Sequence, residues 1–195
     1  MHTRRDAIAL LPAAGVGTAT LLGCHCFVGQ ARAQAASQAQ AASERARAGD
    51  VFLSVNGGPD AAPIEPKDIQ PGAPIMAWPM DPVGRIVRNG SRLNKVLLLR
   101  LDPSGLSAET RDRAADGIVA YTVICPHTGC DVTGWIADQA ILECPCHSSL
   151  YNPRDGGAVL GGPAPRPLPA LPLKLLEGRI TVARPFTSRV GFTQG

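Results

Sequence analysis

Short apolar runs recur along residues 50–182, and Gly, Pro and Asp clusters separate them. VFLSV (51–55), PIMAW (74–78) and KVLLLRL (95–101) are apolar or alternating over five to seven positions. Runs of that length bounded by turn formers predict strands. GIVAYTVI (117–124) and AILE (140–143) read the same way, and each ends on a cysteine, Cys125 and Cys144. PLKLLEGRITV (172–182) predicts a hairpin turning at Glu177-Gly178. Gly57-Gly58-Pro59 and Asn89-Gly90 read as turns, and 104–116 as a loop or one short helix with weak capping signals at Ser107, Thr110 and Asp112. Between Cys130 and Cys144, Asp131–Gln139 reads as a polar return around Trp135. Five prolines between 163 and 172 impose an extended path without internal hydrogen bonds. The pattern predicts an all-β domain.

The ends differ. Residues 7–28 are apolar over 22 positions behind Thr3-Arg4-Arg5-Asp6, a twin-arginine export signature. About 20 apolar residues can span a bilayer. Three fates are open to this leader: a retained membrane anchor, cleavage at Ala31-Arg32-Ala33 or Ala33-Gln34-Ala35, or lipidation at Cys24 after Leu21-Leu22-Gly23. Residues 36–49 are rich in Ala, Gln, Ser and Arg and read as a linker with some helical tendency. The division is therefore 1–35 as leader, 36–49 as linker, 50–184 as the domain and 185–195 as a surface tail.

Composition agrees with a loop-rich β structure. Gly and Pro make up a fifth of the 195 residues, and aromatics only 4%. The net charge is +3, but Arg4, Arg5 and Arg32 against Asp6 put two of those charges in the leader. The remaining balance gives no reason to expect nucleic-acid binding.

The candidate chemistry lies in CPHTGC (125–130) and CPCHSSLY (144–151). Each box offers a Cys and a His two or three residues apart: Cys125 with His127, and Cys144 with His147. Two thiolates on one iron and two imidazoles on the other make a [2Fe–2S] site in which neutral nitrogen replaces negative sulfur. The potential then rises to roughly −150 to +300 mV, against about −400 mV for all-thiolate plant-type clusters. A structural zinc site is the first alternative, but its ligand pairs have two to four residues between them, and Cys125 and His127 have only one. A plain disulfide framework is the second, and it leaves both histidines without a role.

The two boxes resemble those of Rieske proteins from respiratory complexes. The likeness covers 117–183 well and 50–116 loosely. It implies the Rieske fold, an antiparallel β base with a small inserted cluster-binding subdomain at about 120–168. It implies one [2Fe–2S] cluster held by Cys125, His127, Cys144 and His147, and a disulfide between Cys130 and Cys146. That disulfide points to an oxidising compartment. Hydroxyls at Ser149 and Tyr151 would donate to cluster sulfur and raise the potential. Gly162–Pro165 resembles the family's proline loop, which covers the cluster. Position 148 is usually Gly in the family and is Ser148 here.

The resemblance implies an electron-transfer subunit on the periplasmic side of an inner membrane. Its partner would be a larger redox subunit, either the cytochrome b/c of a quinol oxidoreductase or the molybdopterin subunit of an arsenite-oxidase-like enzyme. With a quinol as donor, His127 or His147 would accept its proton. A Rieske oxygenase is excluded. Its mononuclear iron needs two further histidines, and this chain offers only His2 and His25, both in the leader.

Overall fold

The computed structural model describes residues 24–58 and 60–192, with side chains from residue 30 onward. Contacts divide the chain into residues 1–35 and 36–195. The twin-arginine signature and most of the apolar run lie outside the described residues. Among the described residues, no helix is long and apolar enough to cross a membrane.

Helix α1 runs Cys24–Ser43, so the helical tendency of the Ala/Gln stretch extends through most of the expected linker. Its last turn is bonded to the domain. The carbonyls of Ala41 and Ala42, in the helix's last turn, accept from Arg88 Nη1 (3.3 Å) and the Gly90 amide (3.0 Å). Arg88 is buried and forks onto Asp50, with Nε–Oδ2 at 2.5 Å and Nη2–Oδ1 at 2.9 Å. Asn94 Nδ2 donates to the Glu44 carbonyl at 2.6 Å. Residues 41–50 are thus fastened to the domain.

The base sheet has β1 (Val51–Ser54), β2 (Ile75–Asp81), β3 (Ile86–Val87), β4 (Val96–Arg100) and β5 (Ile118–Thr122). All its pairings are antiparallel, in the order β1-β2-β4-β5 with β3 on β2. A short helix α2 (Ala108–Arg111) follows β4, capped by Ser107. The hairpin β10 (Leu173–Leu176) and β11 (Arg179–Val182) turns at Glu177-Gly178 as expected. It closes the base from both sides. Val182 exchanges bonds with Gly49 and Asp50 ahead of β1, and Leu171 donates to Ala120 of β5.

β4 and β5 are apolar on both faces because both faces are covered. Val96, Leu98, Ile118 and Ala120 join Phe52, Ile69, Ile180 and Val182 in the base core. Leu97, Leu99, Val119, Tyr121 and Val123 point the other way, into a second core that contains Leu142, Tyr151 and Leu168. A strand's two-residue period sends alternate side chains to opposite faces. Cys125 continues the odd-numbered row of β5 and so emerges in this second core.

The inserted part is a four-stranded antiparallel meander: β6 (Gly134–Ile136), β7 (Ile141–Cys144), β8 (Ser149–Asn152) and β9 (Ala158–Gly161). Its register sets Trp135, Leu142 and Tyr151 side by side, with Cys144 opposite Ser149. The return expected around Trp135 therefore contains a strand, β6. The architecture is all-β, with a base and an inserted subdomain.

The expected surface tail also differs. Phe186 packs against the base core, Thr187 exchanges hydrogen bonds with Ala170, and Val190 is buried.

Candidate metal centre

Both boxes leave strands of this framework. Cys125 ends the run that begins in β5, and Cys144 is the last residue of β7. Both are buried free thiols on the same core. Cys130 and Cys146 are joined in a disulfide that staples one box to the other. Its two sulfurs lie within 4.8 Å of the Cys144 sulfur and of each other. Bonded as a disulfide, they are not thiolate ligands, so this grouping reports how closely the staple lies against Cys144.

The histidines meet across the loops, with ring centroids 4.7 Å apart at an interplanar angle of 86°. His127 is half-buried and His147 exposed. The Nδ1 of His127 is buried with no hydrogen-bond partner, and so is Ser149 Oγ. A buried polar atom without a partner is costly and needs an explanation. Here one imidazole nitrogen and one hydroxyl are left with unused bonding capacity beside two buried thiols. A metal–sulfide group takes that donor set: thiolate and imidazole nitrogen as ligands, hydroxyl as donor to sulfur.

Burial and the neighbouring Cys125 push the Cys144 thiol pKa up and hold the side chain as a neutral thiol, while the backbone N–H groups of Cys146 and His147 work in the opposite sense by favouring thiolate. Tyr151 OH lies 3.1 Å from Cys125 Sγ. Burial and that sulfur hold the phenol far above its ordinary pKa, so it keeps a proton that it can donate to a sulfur acceptor.

The two boxes have different supports. Ser148, at the position where the family usually has Gly, has φ +52°, a left-handed conformation that suits Gly better. The proline loop lies on this turn. A Cβ added to Gly162 would fall 2.5 Å from Ser149 Cα and 2.6 Å from the Ser148 carbonyl oxygen. On the other box, Asp131 follows the disulfide cysteine and pairs with two cations of the base, Arg92 at 2.5 Å and Lys95 at 2.7 Å. That pairing was not foreseen from sequence. Trp135 packs against the same core as both thiols, as expected, with its Nε1 buried and unpartnered.

Residues 101–172 match the family model of the Rieske [2Fe–2S] domain. The chain carries a Rieske [2Fe–2S] domain. Such a domain binds one [2Fe–2S] cluster. Among curated relatives, a respiratory nitrate reductase Rieske subunit of Haloferax mediterranei is 34% identical over 134 residues, 68% of this chain and 57% of that protein. The cytochrome bc1 complex Rieske iron–sulfur subunit of Streptomyces lividans is 29% identical over 133 residues, 66% of this chain and 78% of that one. The chain thus spans little more than half of the first relative. Among solved structures, the soluble domain of Rieske protein II from Sulfolobus acidocaldarius aligns over 76% of this chain and 73% of that one, at 21% identity and a TM-score of 0.36.

Proposed function

We propose that this protein is the high-potential Rieske electron-transfer subunit of an exported respiratory oxidoreductase, of the cytochrome bc type. In this reading Cys125 and Cys144 hold one iron of the cluster and His127 and His147 the other. The observation that carries it is the convergence of two buried free thiols with the unpartnered Nδ1 of His127 and Oγ of Ser149. The relatives named as Rieske subunits of respiratory complexes support it.

When bound, the cluster supplies one-electron chemistry between a donor and a carrier. The chain's own residues do the rest. Burial in the second core keeps water from the Cys125 and Cys144 sulfurs, and the disulfide holds the boxes together. Ser149 and Tyr151 donate to sulfur, which stabilises the added electron and raises the potential. The exposed His147 presents an imidazole edge at the surface, able to accept the hydroxyl proton of a quinol. Export by the twin-arginine route delivers the head folded to the periplasmic side of the membrane, where the disulfide persists.

A second reading is the small subunit of an arsenite-oxidase-like molybdopterin enzyme. The twin-arginine leader and the short connection between the boxes favour it. Protein purified gently from its native host separates the two. Haem b without molybdenum supports the quinol oxidoreductase, and molybdenum without haem b the alternative. The ligand assignment has its own test. Cys144→Ser abolishes the reduced-state Rieske electron paramagnetic resonance signal, and an unaltered signal in that variant would overturn the assignment.

A further inference from the structure

The C-terminal segment is fixed at three places. Near its start, Thr187 exchanges hydrogen bonds with Ala170 in the extended stretch before β10: its amide donates to the Ala170 carbonyl and its hydroxyl accepts from the Ala170 amide. In the middle, Arg166 of the proline-rich stretch donates to the Gly191 carbonyl and to Ser188 Oγ. At the end, the Phe192 ring lies on Gly129, inside the first box between His127 and Cys130. A Cβ built on Gly129 would come within 2.8 Å of Phe192 Cδ1. Leu93 and Ile124 line a cavity of which the segment forms the opposite wall, and Val190 is buried.

This arrangement is complementary to the proline loop, which covers the second box through Gly162 on Ser148 and Ser149. Among the described residues, no such loop lies on Gly129 of the first box. Phe192 sits there, and Arg166 ties that cover to the proline stretch. Gly129 has φ +82° and its amide donates to the Cys125 carbonyl, so a ring pressed on it holds the turn that carries His127 and Cys130.

We propose that residues 187–192 form a strap that closes the first box, with Phe192 and Arg166 as positioning residues for the cluster loops. The proposal rests on the Rieske reading. The strap seats box one against water as the proline loop seats box two, so partners meet the cluster at the exposed His147 edge. Local opening governs how solvent reaches a buried site, and a segment held by a few contacts is where such opening starts.

The test uses the full chain loaded with its cluster. Bleaching of the visible absorbance is followed under excess chelator, alongside thermal melting of the head by circular dichroism. Phe192→Ala shortens the bleaching half-life by about threefold or more, leaves the melting midpoint in place, and is rescued by Phe192→Leu. Arg166→Gln acts in the same direction, and amide exchange at Gly129 quickens in both variants. An unchanged half-life overturns the strap, as does a shorter half-life that merely follows a fall in the melting midpoint. Wild-type protein that never shows a Rieske spectrum would instead overturn the reading beneath it.

Discussion

The Tyr151 hydroxyl and the Cys125 sulfur share a hydrogen bond across 3.1 Å, joining the end of the β5 run to the middle of β8. Each residue belongs to a different box or its continuation, so this bond ties chemistry and fold together. Tyr151 is fully buried, and its register opposite Leu142 aims the phenol into the core that Cys125 enters.

Removing that donor costs the reduced state more than the oxidised one, because the reduced cluster carries more charge on sulfur. Tyr151→Phe lowers the midpoint potential by tens of millivolts, on the order of 1 kcal/mol for one hydrogen bond. Direct electrochemistry on the purified head measures it. Since burial keeps the phenol protonated far above its ordinary pKa, the shift is the same across neutral and mildly alkaline pH. A potential that does not move would remove the tuning role.

The staple between Cys130 and Cys146 closes a stretch of sequence separation 16. In the chain-entropy account such a loop contributes about 3 kcal/mol. Here its stabilising effect falls on the two boxes that it joins. Cys130→Ser, or mild reduction of the wild type, leaves a head whose base melts nearly as before but whose cluster bleaches much faster. Equal bleaching half-lives with and without the disulfide would refute this.

Much of the site was legible because its residues are close in sequence and chemically distinctive. The β4 and β5 runs were legible for a related reason: strands covered on both faces are apolar without interruption. β8 was missed because SLYN reads as cofactor chemistry and not as a strand. β6 was missed because Gly134 and its polar neighbours hide a three-residue ladder. Asp131 was missed because its partners Arg92 and Lys95 lie 39 and 36 residues earlier, and no local pattern announces such a pair. The tail carries no periodicity, since a strap is held at single points.

Asp131 provides a pH handle. Burial works against its charge, yet hydrogen bonds from Lys95 and Arg92, with their positive charges, outweigh this and hold the carboxyl below its usual range. A depressed folded pKa gives stability that is present above the unfolded value of about 3.9 and is lost as pH falls through the folded one. Wild-type protein therefore loses box-one stability on acidification below about pH 4. Asp131→Asn is less stable near neutrality by about 1 kcal/mol, as suits a partly exposed pair, and loses less of its stability at low pH. Urea unfolding at several pH values measures both, and parallel curves would count against the coupling.

Ser148 and Gly162 make opposite predictions at one contact. Ser148 holds φ +52°, where a side chain is disfavoured by about 1 kcal/mol. It is exposed, so its side chain gains little from packing in return. Ser148→Gly should relieve that strain and raise the melting temperature slightly, with the spectrum unchanged. Gly162 also has a positive φ, +82°, but there the backbone of Ser148 and Ser149 occupies the space a Cβ needs. Gly162→Ala must therefore push the proline loop off the second box. The expected result is a large loss of cluster lifetime and a shifted potential, because Ser149 loses its cover as well. Lifetimes and potentials of the two variants, measured side by side, check the argument. If Gly162→Ala kept the wild-type lifetime, the proline loop would not be what seals the second box.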